Sequence, residues 1–502
     1  SWSRYAGPMT WLFLTLHVLL IVCLGLRILL RNDLQPDVRM GWLTLVVLLP
    51  YVSCVLYYLF GEVALRRRGR GHQQQVQDFA VQAHVLQQAS LVGKSRPHPA
   101  VAGATERMAA HVAPQWQAAF SYAASVNGFQ PEPGHSAELM ADGRETLQRM
   151  LVDLDTAQHE INLLYYLWRD DQMGTQVAQA LVRAAARGVV CRAMVDGLGS
   201  RPLLGSALWE SLRAAGVQLA VALPINRPLQ VMLNSRLDLR NHRKFTLIDG
   251  RIAYCGSQNC VDEVFAAKAA YGPWVDIMLR MQGPVVAQMQ LVFASDWQQY
   301  AMPEHAPYLP HNQPQALASP GFVALAIAEG PSERARACPQ LFATLITSAR
   351  QELVLSTPYF VPDATVLDAL CATAWRGVPV TLIVPARNDS AIVGAASRSH
   401  YHRLLQAGIA IYEFQPGLLH AKTLCVDGQV SLIGSTNLDL RSFDLNFENN
   451  VLLQDVGTTQ AIRARQAAYI AQSLQITAEQ VRAWPRKQRI WNNLLAMLSP
   501  VL

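Results

Sequence analysis

Charge is scarce in this 502-residue chain: 16% of residues are Asp, Glu, Lys or Arg, while 51% are hydrophobic. An ordinary soluble domain carries about 25% charged residues. The balance argues against disorder and points to a membrane component. Lysine is scarcer still. Only Lys94, Lys244, Lys268, Lys422 and Lys487 occur among 42 basic residues, so the place of each carries information. The eight cysteines contain no CxxC. In a chain this long that argues against a disulfide framework. Cys255 and Cys260 have no second Cys/His pair nearby at ligand spacing, so neither metal nor cofactor is expected. No Lys/Arg run with interleaved aromatics is present in the body, so no nucleic-acid partner is expected despite a net charge of +6.

What the chain does have is two long uncharged runs near its N-terminus. Met9–Leu26 and Gly41–Phe60 contain no Asp, Glu, Lys or Arg. As helices rising 1.5 Å per residue, each is expected to span about 30 Å of hydrocarbon. The first is too long for a signal-peptide core, and no small-x-small site follows it. Pro50 is expected to kink the second. His17 is expected to face a partner helix or an interface. Arg66, Arg67, Arg68 and Arg70 follow the second run, whereas Arg31 and Arg39 between the runs are offset by Asp33 and Asp37. The heavier basic flank belongs in the cytoplasm, which puts Arg4 and everything after residue 66 there. Residues 71–98 read as a spacer helix broken by Ser95–Pro99.

An internal repeat organises the remainder. NHRKFTLIDGRIAYCGSQN (residues 241–259) and LHAKTLCVDGQVSLIGSTN (residues 419–437) align without gaps, offset by 178, with seven identities. Upstream, EINLLYY (160–166), a helical stretch, Arg187-Gly188-Val189 and VCRAMVD (190–196) match ELVLSTPYF (352–360), a helical stretch, Arg376-Gly377-Val378 and VTLIVPA (380–386). Apolar β-branched runs alternating with helix-length segments read as βαβ units around a buried, partly parallel sheet. The expected class is α/β, with two similar domains of mixed sheet after two transmembrane helices. The expected divisions are 1–65 for the helices, 66–135 for a basic flank and linker, and 136–315 and 316–502 for the two domains. Pro303–Pro320 is the expected linker between the domains.

Each copy carries His-x-Lys-x4-Asp followed by Gly-Ser-x-Asn. The residues are His242, Lys244, Asp249, Ser257 and Asn259, and then His420, Lys422, Asp427, Ser435 and Asn437. Along a strand, His and Lys two apart share a face. Two ammonium groups and two amides brought face to face can hold the oxygens of a phosphodiester and stabilise charge on five-coordinate phosphorus. One imidazole can attack phosphorus and the other can shuttle the proton. Neither step needs a metal.

This doubled motif resembles the phospholipase D superfamily. With two spans ahead of it, the chain looks like the bacterial cardiolipin synthases over nearly its whole length, including Arg-Asn-His-Arg-Lys before the first motif and Asn-Phe-Glu-Asn after the second. The resemblance implies a downstream acid orienting each His, matched by Asp276 in Trp274-Val275-Asp276 and by Glu448 in Phe447-Glu448-Asn449. It implies that Asp249 and Asp427, each before a turn Gly, are structural, and that Ser257 and Ser435 support the substrate site by hydrogen bonds. It also implies a multi-pass protein of the bacterial inner membrane with a cytoplasmic catalytic body, acting on the bilayer and on phosphatidylglycerol. A homo-oligomer is left open.

The activity implied is transfer of a phosphatidyl group between two phosphatidylglycerols through a phosphatidyl-histidine, giving cardiolipin and glycerol. The alternatives are a phospholipase D-type hydrolase and, less favoured, a nuclease-like phosphodiesterase. Tyr165, Tyr166, Tyr359 and Phe360 follow strands and stand as either cleft lining or core. Leu229–Leu233 reads as lipid-dipping or core. Arg482–Leu502 mixes basic residues with Trp484, Trp491, Leu494, Leu495 and Leu498, which suits an interfacial amphipathic helix.

Overall fold

The computed structural model describes residues 8–31, 34, 36–57, 61, 111–224, 238–264, 266–302, 305, 308, 310, 321–331 and 334–497. The basic cluster at 66–70, the spacer at 71–98, Leu229–Leu233 and most of the Pro303–Pro320 linker lie outside the described residues.

The N-terminal segment is a unit by itself. Helix α1 spans Pro8–Leu29. The second uncharged run is two helices, α2 (Pro36–Leu48) and α3 (Pro50–Leu56). Leu49 leaves helical conformation (φ −139°, ψ 62°), and Pro50 opens the next helix, where its missing N–H costs no hydrogen bond. The expected kink is therefore a full break. The His17 ring meets the Tyr51 hydroxyl at 3.2 Å. Among the described residues no helix is long and apolar enough to cross a membrane.

In the body, the first copy of the repeat supplies β1 (Glu132–Leu139), β2 (Glu160–Tyr165), β3 (Val190–Asp196), β4 (Gln218–Ala222), β5 (Arg240–Asn241), β6 (Lys244–Ile248), β7 (Ile252–Gly256), β8 (Trp274–Val275) and β9 (Met278–Gln282). The second supplies β10 (Phe322–Glu329), β11 (Leu353–Ser356), β12 (Phe360–Val361), β13 (Val380–Pro385), β14 (Ala410–Phe414), β15 (Leu418–Leu419), β16 (Thr423–Val426), β17 (Val430–Gly434), β18 (Leu438–Asp439), β19 (Asn446–Gln454) and β20 (Ser473–Ile476).

One mixed sheet runs β20-β14-β13-β11-β16-β17-β19-β10-β1-β9-β7-β6-β2-β3-β4. Each half has the same order read outward from the centre, except that β20 is added beyond β14 in the second, and the halves meet where β1 pairs antiparallel with β10. The outer strands β2-β3-β4 and β11-β13-β14 are parallel, as βαβ crossovers require. The crossover helices Gln172–Ala186 and Ala364–Trp375 start at Asp171 and Asp363, whose carboxylates accept the backbone N–H of Gly174 and Val366. They end at the two Arg-Gly pairs, with Gly188 and Gly377 both at φ +88°. Only a residue without Cβ adopts that conformation freely. The expected α/β class thus holds, but the two halves share one continuous sheet.

Three short pairings lie off this order, one of them β12 with β18 inside the second half. β5, just before His242, pairs parallel with the start of β19. β15, just before His420, pairs parallel with β8. Each half therefore sends the strand ahead of its histidine across to the other half.

Candidate active site

The exchange fixes both histidines. His242 N donates to the Phe447 carbonyl and His420 N to the Val275 carbonyl, each at 2.8 Å. The side chains follow. His242 Nδ1 lies 2.9 Å from Glu448 Oε2, and His420 Nδ1 lies 2.6 Å from Asp276 Oδ1. The two acids are those expected, but the pairing is crossed. Asp276 serves the second histidine from 144 residues upstream, not a histidine before it. A carboxylate only accepts, so Nδ1 carries the hydrogen and Nε2 of each ring is left for chemistry.

Behind each acid stands its motif serine. Ser257 Oγ donates to Asp276 at 2.6 Å, and Ser435 Oγ donates to Glu448. Both serines are completely buried. Expected at the substrate, they instead hold the carboxylates from the rear. The glycine before each has a steric reason. A Cβ on Gly256 would come within 2.1 Å of the Ile277 carbonyl oxygen, and on Gly434 within 2.2 Å of that of Asn449.

Both lysines are buried and turn back on their own motif: Lys244 Nζ donates to the His242 carbonyl at 2.6 Å, and Lys422 Nζ to the His420 carbonyl at 2.8 Å. Burial, opposed by Asp276 and Glu448, brings Lys422 down to about 8, and burial lowers Lys244 well below the ordinary lysine value. Burial also pushes His242 down to about 3, with Lys244 and Lys422 adding to the effect against Glu448. His420 is lowered by burial and then by Lys422, against Asp276. Burial alone would raise the two acids. In Glu448, His242, Lys244 and Ser435 outweigh it; in Asp276, His420, Lys422 and Ser257 do. Both carboxyls thus stay ionised. Each histidine feels both lysines, so the two motifs form one electrostatic cluster.

The motif asparagines are buried beside it. Asn259 Oδ1 accepts from Leu167 N at 3.1 Å, while its Nδ2 and Asn437 Oδ1 have no hydrogen-bond partner among the described residues. The motif aspartates are elsewhere. Asp249 accepts the backbone N–H of Gln158, His159 and Glu160 at 2.7–2.9 Å. Asp427 accepts those of Arg350, Gln351 and Glu352. Each sits at φ 52° with the next Gly at 62–63°, the two left-handed positions of a tight hairpin turn. A five-residue strand separates Asp249 from His242, about 17 Å at 3.3 Å per residue. These aspartates tie the hairpin turn to the start of β2 and β11.

The site's arrangement has counterparts among known proteins. The family described as cardiolipin synthase, PLD-like domain, matches residues 150–297 and 342–468. Cardiolipin synthase A of Pectobacterium atrosepticum is 36% identical over 503 residues, covering all of both chains. That of Proteus mirabilis is 34% identical, again over the whole of both. The chain belongs to the cardiolipin synthase family. A phosphatidylserine synthase structure from Haemophilus influenzae shares the fold, with a TM-score of 0.59 at 14% identity, covering 76% of this chain and all of that one. The protein is thus a cardiolipin synthase-type enzyme, a phospholipid transferase with a phospholipase D-like body.

Several residues around this cardiolipin synthase site were not singled out by the motif. Trp274 lies against His420 with ring centroids 4.8 Å apart, and Tyr166 against His242 at 4.9 Å. Of the four aromatics left open, Tyr166 meets the site. Tyr165 is core, donating or accepting at Thr246 Oγ1 at 2.8 Å; Phe360 is core too; Tyr359 donates to Asp389 at 2.8 Å. Arg243, between the motif His and Lys, is buried and bonds Asp296 at 2.6 and 2.7 Å. Its Nε donates to the Glu448 carbonyl at 3.1 Å, which fixes the strand carrying that acid. Asn449 Oδ1 accepts from Lys244 N at 2.9 Å. Asp296 lies outside the two aligned motif segments, on the helix Val285–Tyr300, and no local sequence signal marks it.

Proposed function

We propose that the enzyme joins two phosphatidylglycerols into cardiolipin and glycerol by two displacements at phosphorus. His242 Nε2 attacks the donor's phosphorus and the bond to the glycerol headgroup breaks. His420 gives its Nε2 proton to the departing alkoxide. The neutral His420 then takes the proton from a primary hydroxyl of the second phosphatidylglycerol. That oxygen attacks phosphorus, the P–N bond breaks, and His242 is restored. Lys244, Lys422, Asn259 and Asn437 hold the phosphate oxygens throughout, and Asp276 and Glu448 steady the imidazoles.

The observation that carries this reading is the pair of histidines with Nδ1 on a buried carboxylate, within one cluster containing two buried lysines. A His242 pushed down to about 3 is neutral and able to attack. An arriving phosphodiester offsets the lysine charge that lowers His420, and so favours its protonated form. We further place the N-terminal segment in the bilayer and the body on its cytoplasmic side, from the uncharged runs and the Arg cluster at 66–70.

The test is to give the purified protein labelled phosphatidylglycerol as sole lipid. Cardiolipin plus free glycerol is expected; phosphatidic acid as the main product would replace transfer with hydrolysis.

A further inference from the structure

The C-terminal helix Arg486–Met497 packs on the helix Ala391–Ser399, burying Asn492 and Leu495 to 4% and 6% exposure. At 100° per residue, the opposite face carries Ile490, Leu494 and Met497, with Trp491 beside them. These are 67%, 51%, 77% and 56% exposed. Three large apolar side chains in one row turned from the body, with Trp491 exposed at its edge, form a patch that a soluble surface rarely leaves open. The same helix holds Arg486, Lys487 and Arg489 and no Asp or Glu. Arg486 and Lys487 lie within and beside the apolar row, where their stems can run along it while the charges stay in water.

From this face we infer that the helix Arg486–Met497 is an interfacial anchor for an anionic bilayer, its apolar row sunk among the acyl chains and its basic residues on lipid phosphates. Charge complementarity selects the occupant. A second copy of the chain would bring the same three cations face to face, and a neutral protein surface would leave them unmatched; a bilayer holding anionic lipid satisfies row and charges together. Its supporting helix begins at Ala391, capped by Ser390; Asp389, just before the cap, accepts from Tyr359, pairs with Lys268 and favours the charged form of Lys422. This rests on the reading of an anionic lipid substrate, and gives that reading a second point of contact with the membrane.

The full chain is reconstituted into vesicles of phosphatidylcholine and phosphatidylglycerol with brominated acyl chains, and its tryptophan quenching is compared with that of Trp491→Phe. The other tryptophans are common to both proteins and cancel in the difference. The expected result is a quenched component that disappears in Trp491→Phe and weakens when phosphatidylglycerol is left out. Equal fractional quenching of the two proteins overturns the inference. A second variant, Ile490→Glu with Leu494→Glu, alters only exposed positions. It should lower the rate severalfold on vesicles and leave turnover of a dispersed short-chain lipid unchanged. Loss of both activities together, or a smaller sedimenting mass for the variant, overturns the anchor in favour of a structural face or a contact between copies. Phosphatidic acid as product with Trp491 still quenched would remove the transfer reading and leave the anchor standing.

Discussion

Asp276 of the first half holds His420 of the second, with Oδ1 2.6 Å from Nδ1. Glu448 of the second holds His242 of the first at 2.9 Å. The acid that orients each histidine is thus supplied by the opposite copy of the repeat. Under the proposed roles, Asp276→Asn should behave as an acid/base defect and Glu448→Gln as a nucleophile defect, each slowing turnover by about 10²–10⁴. The phenotypes separate on a donor with a good leaving group, which needs no acid. Asp276→Asn should then still form the phosphatidyl-histidine readily, and Glu448→Gln should not. The reverse pattern would reverse the roles of the two histidines.

The histidines themselves give the sharper assignment. With the same donor, His420→Ala should accumulate a lipid adduct on His242, because no base activates the acceptor. His242→Ala should give none. Mass spectrometry after acid quenching reads both. An adduct on His420 in the His242→Ala protein would exchange the two roles while keeping the two-step route.

Lys422 links pH to both activity and stability. Its folded-state value is about 8 against an ordinary 10.5, and burial is the leading cause. A neutral lysine no longer holds a phosphate, so kcat/KM should fall as pH rises through about 8. Bound anionic lipid favours the ammonium, so kcat should hold to higher pH. Stability moves the other way. Between about 8 and 10.5 the unfolded chain binds the proton that the folded one has lost, so this group's contribution to stability rises with pH across that window. Rate profiles and denaturant melts at the same pH values check the pair; a Lys422→Met protein should lose this rise.

Asp249 and Asp427 should read as stability residues. Each accepts three backbone N–H groups at the foot of β2 or β11. Hydrogen bonds to a charged acceptor are worth about 1.5–3 kcal/mol each. Asp249→Ala should therefore lower the melting midpoint clearly, while the properly folded fraction retains its phosphatidyl-histidine chemistry. A folded Asp249→Ala protein that forms no adduct would place this residue in the catalytic set.

What the sequence made legible was whatever repeats locally. The Asp-Gly turns, the Arg-Gly helix ends and the His-x-Lys spacing each depend on a few neighbouring residues, and each appears in both halves. The crossing did not show, because it rests on pairings of two residues each, β5 with β19 and β8 with β15, too short to have a periodicity. Ser257 and Ser435 read from the motif as hydrogen-bond supports, but the motif does not say of what; the register of β7 with β9, and of β17 with β19, turns them onto the acids. The break at Leu49 was legible as Pro50, but a proline signals either a kink or a new helix start, and composition does not choose between them.

The crossing also sets a clock for the nascent chain. Glu448 follows His242 by 206 residues, about 10–40 s of synthesis at 5–20 residues per second. Throughout that interval the emerging chain carries His242 and Lys244 without the carboxylate that aims the imidazole. Under the proposed roles, a product truncated before residue 448 lacks the acid that aims its nucleophile and should turn over lipid far more slowly than the full chain, without needing a separate inhibitor.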